Sequence, residues 1–225
     1  LYGSHPYGRP TEGDERSLTA ITREDIVSFY QKYYTPGNTI LMAVGDFNTT
    51  DMERLLTGKF RAWPRKPATV LNLPEAHPLE GKRVVLVDKP DSPQTFFQVG
   101  NVGITRTNPD RVYIDVVNMI FGGRFDSMLN TELRVNSGLT YGAYSLFERR
   151  KAWGPFLIST YTQTATTEKA IDLALDVLRR LQEKGITEED LKSTKSFIKG
   201  QFPLSIETSD QLASVLEVPP RMSEL

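Results

Sequence analysis

Two histidines and no cysteine limit the metal chemistry open to this sequence. Zinc sites built without thiolates usually take two or three histidines plus a carboxylate. His5 and His77 stand 72 positions apart, each followed by proline, and neither has a second histidine at helical spacing. Neither HExxH nor HxxEH occurs. No self-contained zinc catalytic site is therefore expected, and cysteine nucleophiles and disulfides are excluded. The densest run of chemically capable residues is FGGRFDSMLNTELRVNSGLTYGAYS, Phe121 to Ser145. Gly122-Gly123 reads as a helix terminus; a phosphate loop would need a preceding strand and a following GK[ST], and neither is present. Arg134 falls in the last turn of its helix, where the macrodipole favours a cation, and Tyr141 opens a strand. As residues alone, they read as a solvated arginine and a half-buried tyrosine.

The elements that must position these residues are legible from periodicity and caps. The 225 residues carry 39% hydrophobic and 24% charged side chains, with 27 basic against 28 acidic groups. That balance removes the basic surplus of a general nucleic-acid binder. No apolar run approaches the roughly 18 to 20 residues of a membrane span, and Leu1 to Pro10 lacks the basic start and apolar centre of a signal peptide. Thr22 and Asp25 form a capping box ahead of an apolar stripe at Ile26, Phe29, Tyr30 and Tyr33, and Thr35-Pro36-Gly37-Asn38 stops that helix. Thr39 to Val44 is short and apolar enough for a buried strand. Asn48 to Asp51 caps a further helix with Met52, Leu55, Leu56 and Phe60 on one face. Arg61 to Glu80, with Pro64, Pro67, Pro74 and Pro78, reads as an extended linker.

Beyond the linker, Lys82–Asp88 and Gln94–Asn101 are expected as strands around a turn at 89–93. A helix over Pro109–Phe121 with a stripe of Val112, Val116, Met119 and Ile120 follows, then a helical stretch from Phe125 to Val135. Strands are expected over Leu139–Arg149 and Trp153–Gln163. A long helix over Thr167–Lys184, apolar at Ile171, Leu175, Leu178 and Leu181, ends at Gly185. Thr187 to Asp190 starts another helix by a capping box, and Ser209–Glu217 forms a last short one. The string ITxED occurs at Ile21 and Ile186; it is either an internal repeat or one capping grammar used twice.

The run from Gly122 through Ser145, with Leu133-Arg134 followed by Gly138-Leu139-Thr140-Tyr141, resembles the second homologous domain of the insulinase/pitrilysin family of zinc metallopeptidases and its non-peptidase relatives. Upstream, HPYGRP at His5, the ITREDIVSFYQKYYTPGN helix and ILMAVGDF resemble the closing half of that family's first domain. The resemblance implies an α+β fold, an antiparallel sheet with helices on one face, arranged as tandem domains. It divides the chain into 1–60, the end of the first domain; 61–80, the interdomain linker; and 81–225, a C-terminally incomplete second, non-catalytic domain. It further implies that Arg134 anchors a peptide main chain through its fork of donors. Tyr141 is implied to set a hydroxyl near the scissile carbonyl. By that resemblance the two would be substrate-binding and transition-state-support residues, and no catalytic set is expected to be complete in this chain. Zinc is expected only in a catalytic domain or partner, where an inverted HxxEH motif would hold it. No cofactor is expected here.

The sequence is expected to begin after the zinc motif and to stop before the closing helix and strand of the second domain. It would then be either a fragment of a longer protease or a metal-free subunit, inactive alone. Residues 1–60 are expected to stand in for the missing tail in pseudo-permuted fashion. Otherwise the sheet would expose an edge open to exchange or aggregation. Expected partners are a peptide or protein substrate, a zinc-bearing homologous domain or subunit, and a second copy by segment exchange. Nucleic acid and a membrane span are not expected. The first functional reading is a substrate-cleft portion of an insulinase-like peptidase, and the second an inactive scaffold subunit. A third, peptide binding at an edge strand, carries less weight. Family habit leans toward a bacterial periplasmic or secreted setting.

Overall fold

The computed structural model describes residues 1–69 and 72–217. The chain divides into two compact units, one of Leu1–Ser4 with Glu75–Gln201, the other of His5–Pro74 with the segment from Phe202. In the second of these, helices α1 (Glu15–Ala20), α2 (Arg23–Tyr33) and α3 (Thr49–Phe60) start where their caps dictate. Thr22 and Asp25 close the reciprocal box: the Asp25 N–H donates to the Thr22 hydroxyl at 3.2 Å and the Thr22 N–H to the Asp25 carboxylate at 2.9 Å. Two backbone donors that a helix start leaves orphaned are thereby satisfied. The apolar stripe of α2 is not a core face within this unit, since Ile26, Phe29 and Tyr30 are all more than half exposed.

The first-named unit carries the sheet. Strands β1 (Gln94–Val102), β2 (Ala143–Phe147) and β3 (Pro155–Gln163) form an antiparallel sheet in the order β1-β3-β2. The expected α+β fold is thus present, with helices against the sheet face that buries Ala143, Ser145, Ile158, Thr160 and Thr162. Helix α4 (Arg111–Asn118) runs on into a wide π-helical turn over Met119–Gly123. Helix α5 (Met128–Asn130) widens in the same way over Thr131–Asn136. Next come α6 (Thr167–Lys184) and α7 (Glu188–Leu204), the last residues of which, from Phe202, belong to the other unit together with α8 (Ser209–Glu217). The Thr187–Asp190 box at the start of α7 forms as its sequence predicts. The core is built from Phe121, Leu129, Leu133, Ala143, Ile158, Ala174 and Val177.

Several sequence expectations require correction. Thr39–Val44 and Lys82–Asp88 join no ladder among the described residues. Ile40 and Leu41 are more than half exposed, and Val84 to Val87 between 70% and 90%. Both runs have strand composition, but a strand exists only where a second backbone edge accepts its hydrogen bonds. The sheet takes no strand from residues 1–60, so the pseudo-permuted completion is not what the described residues form. Two helical stripes also depart from expectation in part. In α4 Ile120 is buried as expected, and Phe121 beside it in the π turn is buried too, but Val112 is exposed. In α6 the residues with no exposure are Ala170, Ala174 and Val177, whereas Leu175 is 42% exposed. Small side chains, not the leucines alone, let this helix close on the sheet.

Gly122 shows why the glycine pair is there. A Cβ at this position would lie 2.6 Å from the Ser145 backbone nitrogen, 2.8 Å from Leu129 Cδ1, and closer still to the Ser145 hydroxyl. The glycine lets the π turn touch β2, a packing role and not an anion cradle. Gly122→Ala should destabilise the protein by about 1–3 kcal/mol through overpacking, read from the urea midpoint; an unchanged midpoint would show that the turn can back away from β2. A second expectation concerns pH. The Thr22 hydroxyl, and then its N–H, hold the Asp25 carboxyl below the usual carboxylate range. Because the folded value is the lowered one, the cap contributes fully above the ordinary carboxylate pKa and is lost as pH falls through the folded value. Amide protection in the first turn of α2 should therefore drop on acidification below about pH 4. Protection that persists to about pH 2 would take the carboxylate out of the cap.

Candidate functional site

Arg134 and Tyr141 flank one connection, the turn between the widened α5 helix and β2. Two backbone bonds to Leu133 end the helix: the N–H groups of Leu139 and Thr140 both reach its carbonyl, at 2.9 and 3.3 Å, while the Gly138 N–H takes that of Arg134 at 3.1 Å. Gly138 makes this reversal at φ +62°, a conformation in which a Cβ would be strained. Downstream, the turn is fastened to β3 by hydroxyls. Thr160 Oγ1 lies 2.9 Å from the Gly142 carbonyl and 3.1 Å from the Thr140 hydroxyl, and the Thr162 hydroxyl donates to the Leu139 carbonyl at 2.7 Å. All three threonines are buried. Tyr141 sits between two anchored residues, yet its side chain is 78% exposed. The sequence suggested a half-buried tyrosine at the start of a strand. The structure gives a projecting phenol two residues before the strand begins.

Arg134 lies in the last helical turn, as expected, and is half-buried. Arg124, Arg149, Arg150, Arg179 and Arg180 each meet a carboxylate, Asp126, Asp115, Glu148, Asp176 and Glu132 respectively. The Arg134 guanidinium has no such partner among the described residues; it lies over the Phe125 ring, its Cζ 4.6 Å from the ring centroid. An aromatic face attracts a cation without occupying its hydrogen-bond donors. Sequence reading missed two residues that organise this surface, Phe125 and Asn130. Asn130 is buried; its side-chain amide donates to the Phe125 carbonyl at 2.7 Å and its oxygen accepts from the Ala143 N–H at 3.2 Å. Only the local string FDSMLN, with Ser127 as helix cap, hinted at a buried amide there.

The ring of His5 is tied into its own unit. The Tyr7 N–H donates to His5 Nδ1 at 3.0 Å, which leaves the ring proton on Nε2, 3.0 Å from the Pro74 carbonyl. Both ring nitrogens of this buried histidine are engaged. Among the described residues no three His, Asp or Glu side chains are grouped to hold a metal ion. An apolar cavity of about 640 Å3 lies elsewhere, between β1, α4 and α6, lined by Val99, Ile114, Val117, Phe121, Phe156 and Leu178 among others. Its lining has no charged side chain and includes neither Arg134 nor Tyr141. No helix of the described residues is long and apolar enough to cross a membrane.

A family model, the peptidase M16 inactive domain, matches residues 20–197. An uncharacterized zinc protease of Mycobacterium leprae is 27% identical over 96% of this chain and 49% of its own length. A probable inactive metalloprotease of Bacillus subtilis is 24% identical over 94% of this chain and 49% of its own. Among solved structures, a peptidase M16 inactive domain from Pseudomonas fluorescens superposes with a TM-score of 0.88 at 30% identity, covering all of this chain and 55% of that one. The chain spans about half the length of the relatives it matches.

The hydroxyl fastening of the 138–142 turn can be tested. Thr160→Val keeps the shape of a buried side chain and removes the hydroxyl that serves the Gly142 carbonyl and Thr140. The loss should be about 1–3 kcal/mol, the usual cost of stranding a buried polar group, read by urea denaturation. A variant as stable as the parent would show that the turn does not depend on β3 for its hydrogen bonds.

Proposed function

This chain belongs to the peptidase M16 inactive-domain family, and from that premise we propose that it is the zinc-free portion of an insulinase-like peptidase, supplying substrate-cleft side chains to a zinc-bearing homologous domain or subunit. On this reading residues 1–60 close a first homologous domain, 61–80 link, and 81–225 form the second. The observation that carries it is an arginine with no carboxylate partner among the described residues, at the end of the helix that leads into an anchored turn bearing an exposed tyrosine. Arg134 grips main-chain carbonyls of an extended peptide through its planar fork. Tyr141 donates its hydroxyl proton to the scissile carbonyl oxygen as that atom gains negative charge, a contact worth more in the transition state than in the bound substrate. Zinc, where the catalytic domain holds it, supplies the activated water. Among the described residues no three His, Asp or Glu side chains are grouped to take that role.

A second reading has its own support: a Bacillus subtilis relative is described as a probable inactive metalloprotease, so an inactive scaffold subunit of the same family is the alternative. The two separate in one experiment. The chain is assembled with its zinc-bearing homologue, and cleavage of fluorescein-labelled β-casein is compared for the parent, Arg134→Ala and Tyr141→Phe. The cleft reading expects Tyr141→Phe to lower kcat by roughly 100-fold, in the range seen when one oxyanion donor is removed. It expects Arg134→Ala to lower kcat/KM more than tenfold, with the melting temperature of each variant within about two degrees of the parent. Equal cleavage rates for all three chains would leave the scaffold reading standing.

A further inference from the structure

The geometry points to Phe125 as a positioning residue for Arg134, a third member of the peptide-binding surface; this rests on the cleft reading above. Phe125 sits in the short loop between the π turn and α5, with its ring 66% exposed. A large apolar side chain in that situation adds little to the core, and Phe125 is not among the core cluster. Its backbone, in contrast, is firmly held. The Asn130 amide donates to its carbonyl at 2.7 Å. On the residue before it, the Arg124 side chain is only 7% exposed, donates to the Ser193 hydroxyl at 3.1 Å and pairs with Asp126 at 3.1 Å. A loop pinned on both sides thus presents one aromatic face, and the guanidinium of Arg134 lies over that face. The same Asn130 side chain accepts from the Ala143 N–H, two residues beyond Tyr141. One buried amide therefore ties the platform beneath the arginine to the strand that carries the tyrosine.

The physical consequence is preorganisation. A free arginine samples many rotamers and loses that freedom when a peptide is gripped. A guanidinium resting on an aromatic face by cation–π attraction is already confined, while the edges of its fork stay open for hydrogen bonds. Removing the ring should weaken peptide binding and leave the reacting step almost untouched, because Phe125 acts through Arg134 and not on the scissile carbonyl. An exposed cation–π contact corresponds to roughly a two- to fivefold change in affinity.

The test uses the complex with the zinc-bearing homologue and labelled β-casein, with four chains: parent, Phe125→Leu, Phe125→Tyr and Phe125→Leu combined with Arg134→Ala. Phe125→Leu should raise KM roughly two- to fivefold with kcat changed less than about twofold, and Phe125→Tyr should restore the parent KM because the ring is kept. The double variant should be no worse than Arg134→Ala alone, since the ring has nothing left to position. In the uncomplexed chain, the Arg134 Nε–H resonance should lose its ring-current shift in Phe125→Leu and keep it in Phe125→Tyr, a readout that needs no partner and no turnover. An unchanged or lowered KM in Phe125→Leu, while Arg134→Ala is impaired, would overturn the positioning role alone. A silent Arg134→Ala would overturn the cleft reading, and this inference with it. If Phe125→Leu proves unstable, Phe125→Gln serves in the same comparisons.

Discussion

A turn that leaves a helix and enters a strand has to satisfy backbone groups that neither ladder can reach, and here buried side-chain oxygens and one buried amide do it. The 138–142 turn takes its partners from Leu133 behind it and from Thr160 and Thr162 on the central strand. Because these groups are out of water, each hydrogen bond is costly to lose and the turn has one arrangement, not several. The exposure of Tyr141 is the complement of that rigidity: its backbone neighbours are spent on the fold and its side chain is not. A projecting phenol on a mobile loop would be unremarkable, but one on a turn fixed at both ends has a defined direction.

The same economy governs the helices that frame the turn. Both α4 and α5 widen into π turns before they end, and widened turns are frequent where a helix must re-aim its last residues. In the first case the re-aimed residues are Ile120, Phe121 and Gly122, which press against the sheet. In the second, Leu133 goes to the core while Arg134 is delivered to the Phe125 face. Gly122 and Ala174 show what close approach demands: at these points the helices meet the sheet with little or no side chain between.

What was legible in the sequence was local. The capping boxes at Thr22 and Thr187 and the Asn48 cap each need only a hydroxyl or amide and a backbone N–H three residues away, so reading them required no knowledge of the tertiary fold. The long helix ending at Gly185 was equally plain. Thr39–Val44 and Lys82–Asp88 failed as strands because composition specifies only half of a ladder. In α6 Leu178 and Leu181 pack against the core as expected, but the fully buried positions are Ala170, Ala174 and Val177, small side chains that hydrophobic size does not single out. Arg134 and Tyr141 were found through family resemblance, since spacing alone gave a solvated cation and a half-buried ring. Phe125 and Asn130 were not found at all. Their partners lie 9 and 13 residues away respectively, across a helix whose widened turns no simple period predicts.

Charge accounting sharpens the contrast between structural and available groups. The arginines at 149 and 180 are matched to carboxylates across elements, holding loop to helix and helix to helix, while Arg124 pairs with Asp126 within one loop. Surface pairs of this kind contribute little each, but they show that the fold has carboxylates to spare and places them beside arginines with structural work. Arg134 is left with an aromatic face, which attracts a cation without using up its hydrogen-bond donors. His5 shows the opposite pattern: both its ring nitrogens are committed, to the Tyr7 N–H and the Pro74 carbonyl. A side chain whose donors and acceptors are all satisfied internally is part of the scaffold. On the 134–141 surface the contrast is plain: the Arg134 guanidinium rests on a ring instead of a carboxylate, and the Tyr141 side chain projects from a turn whose backbone is anchored at both ends.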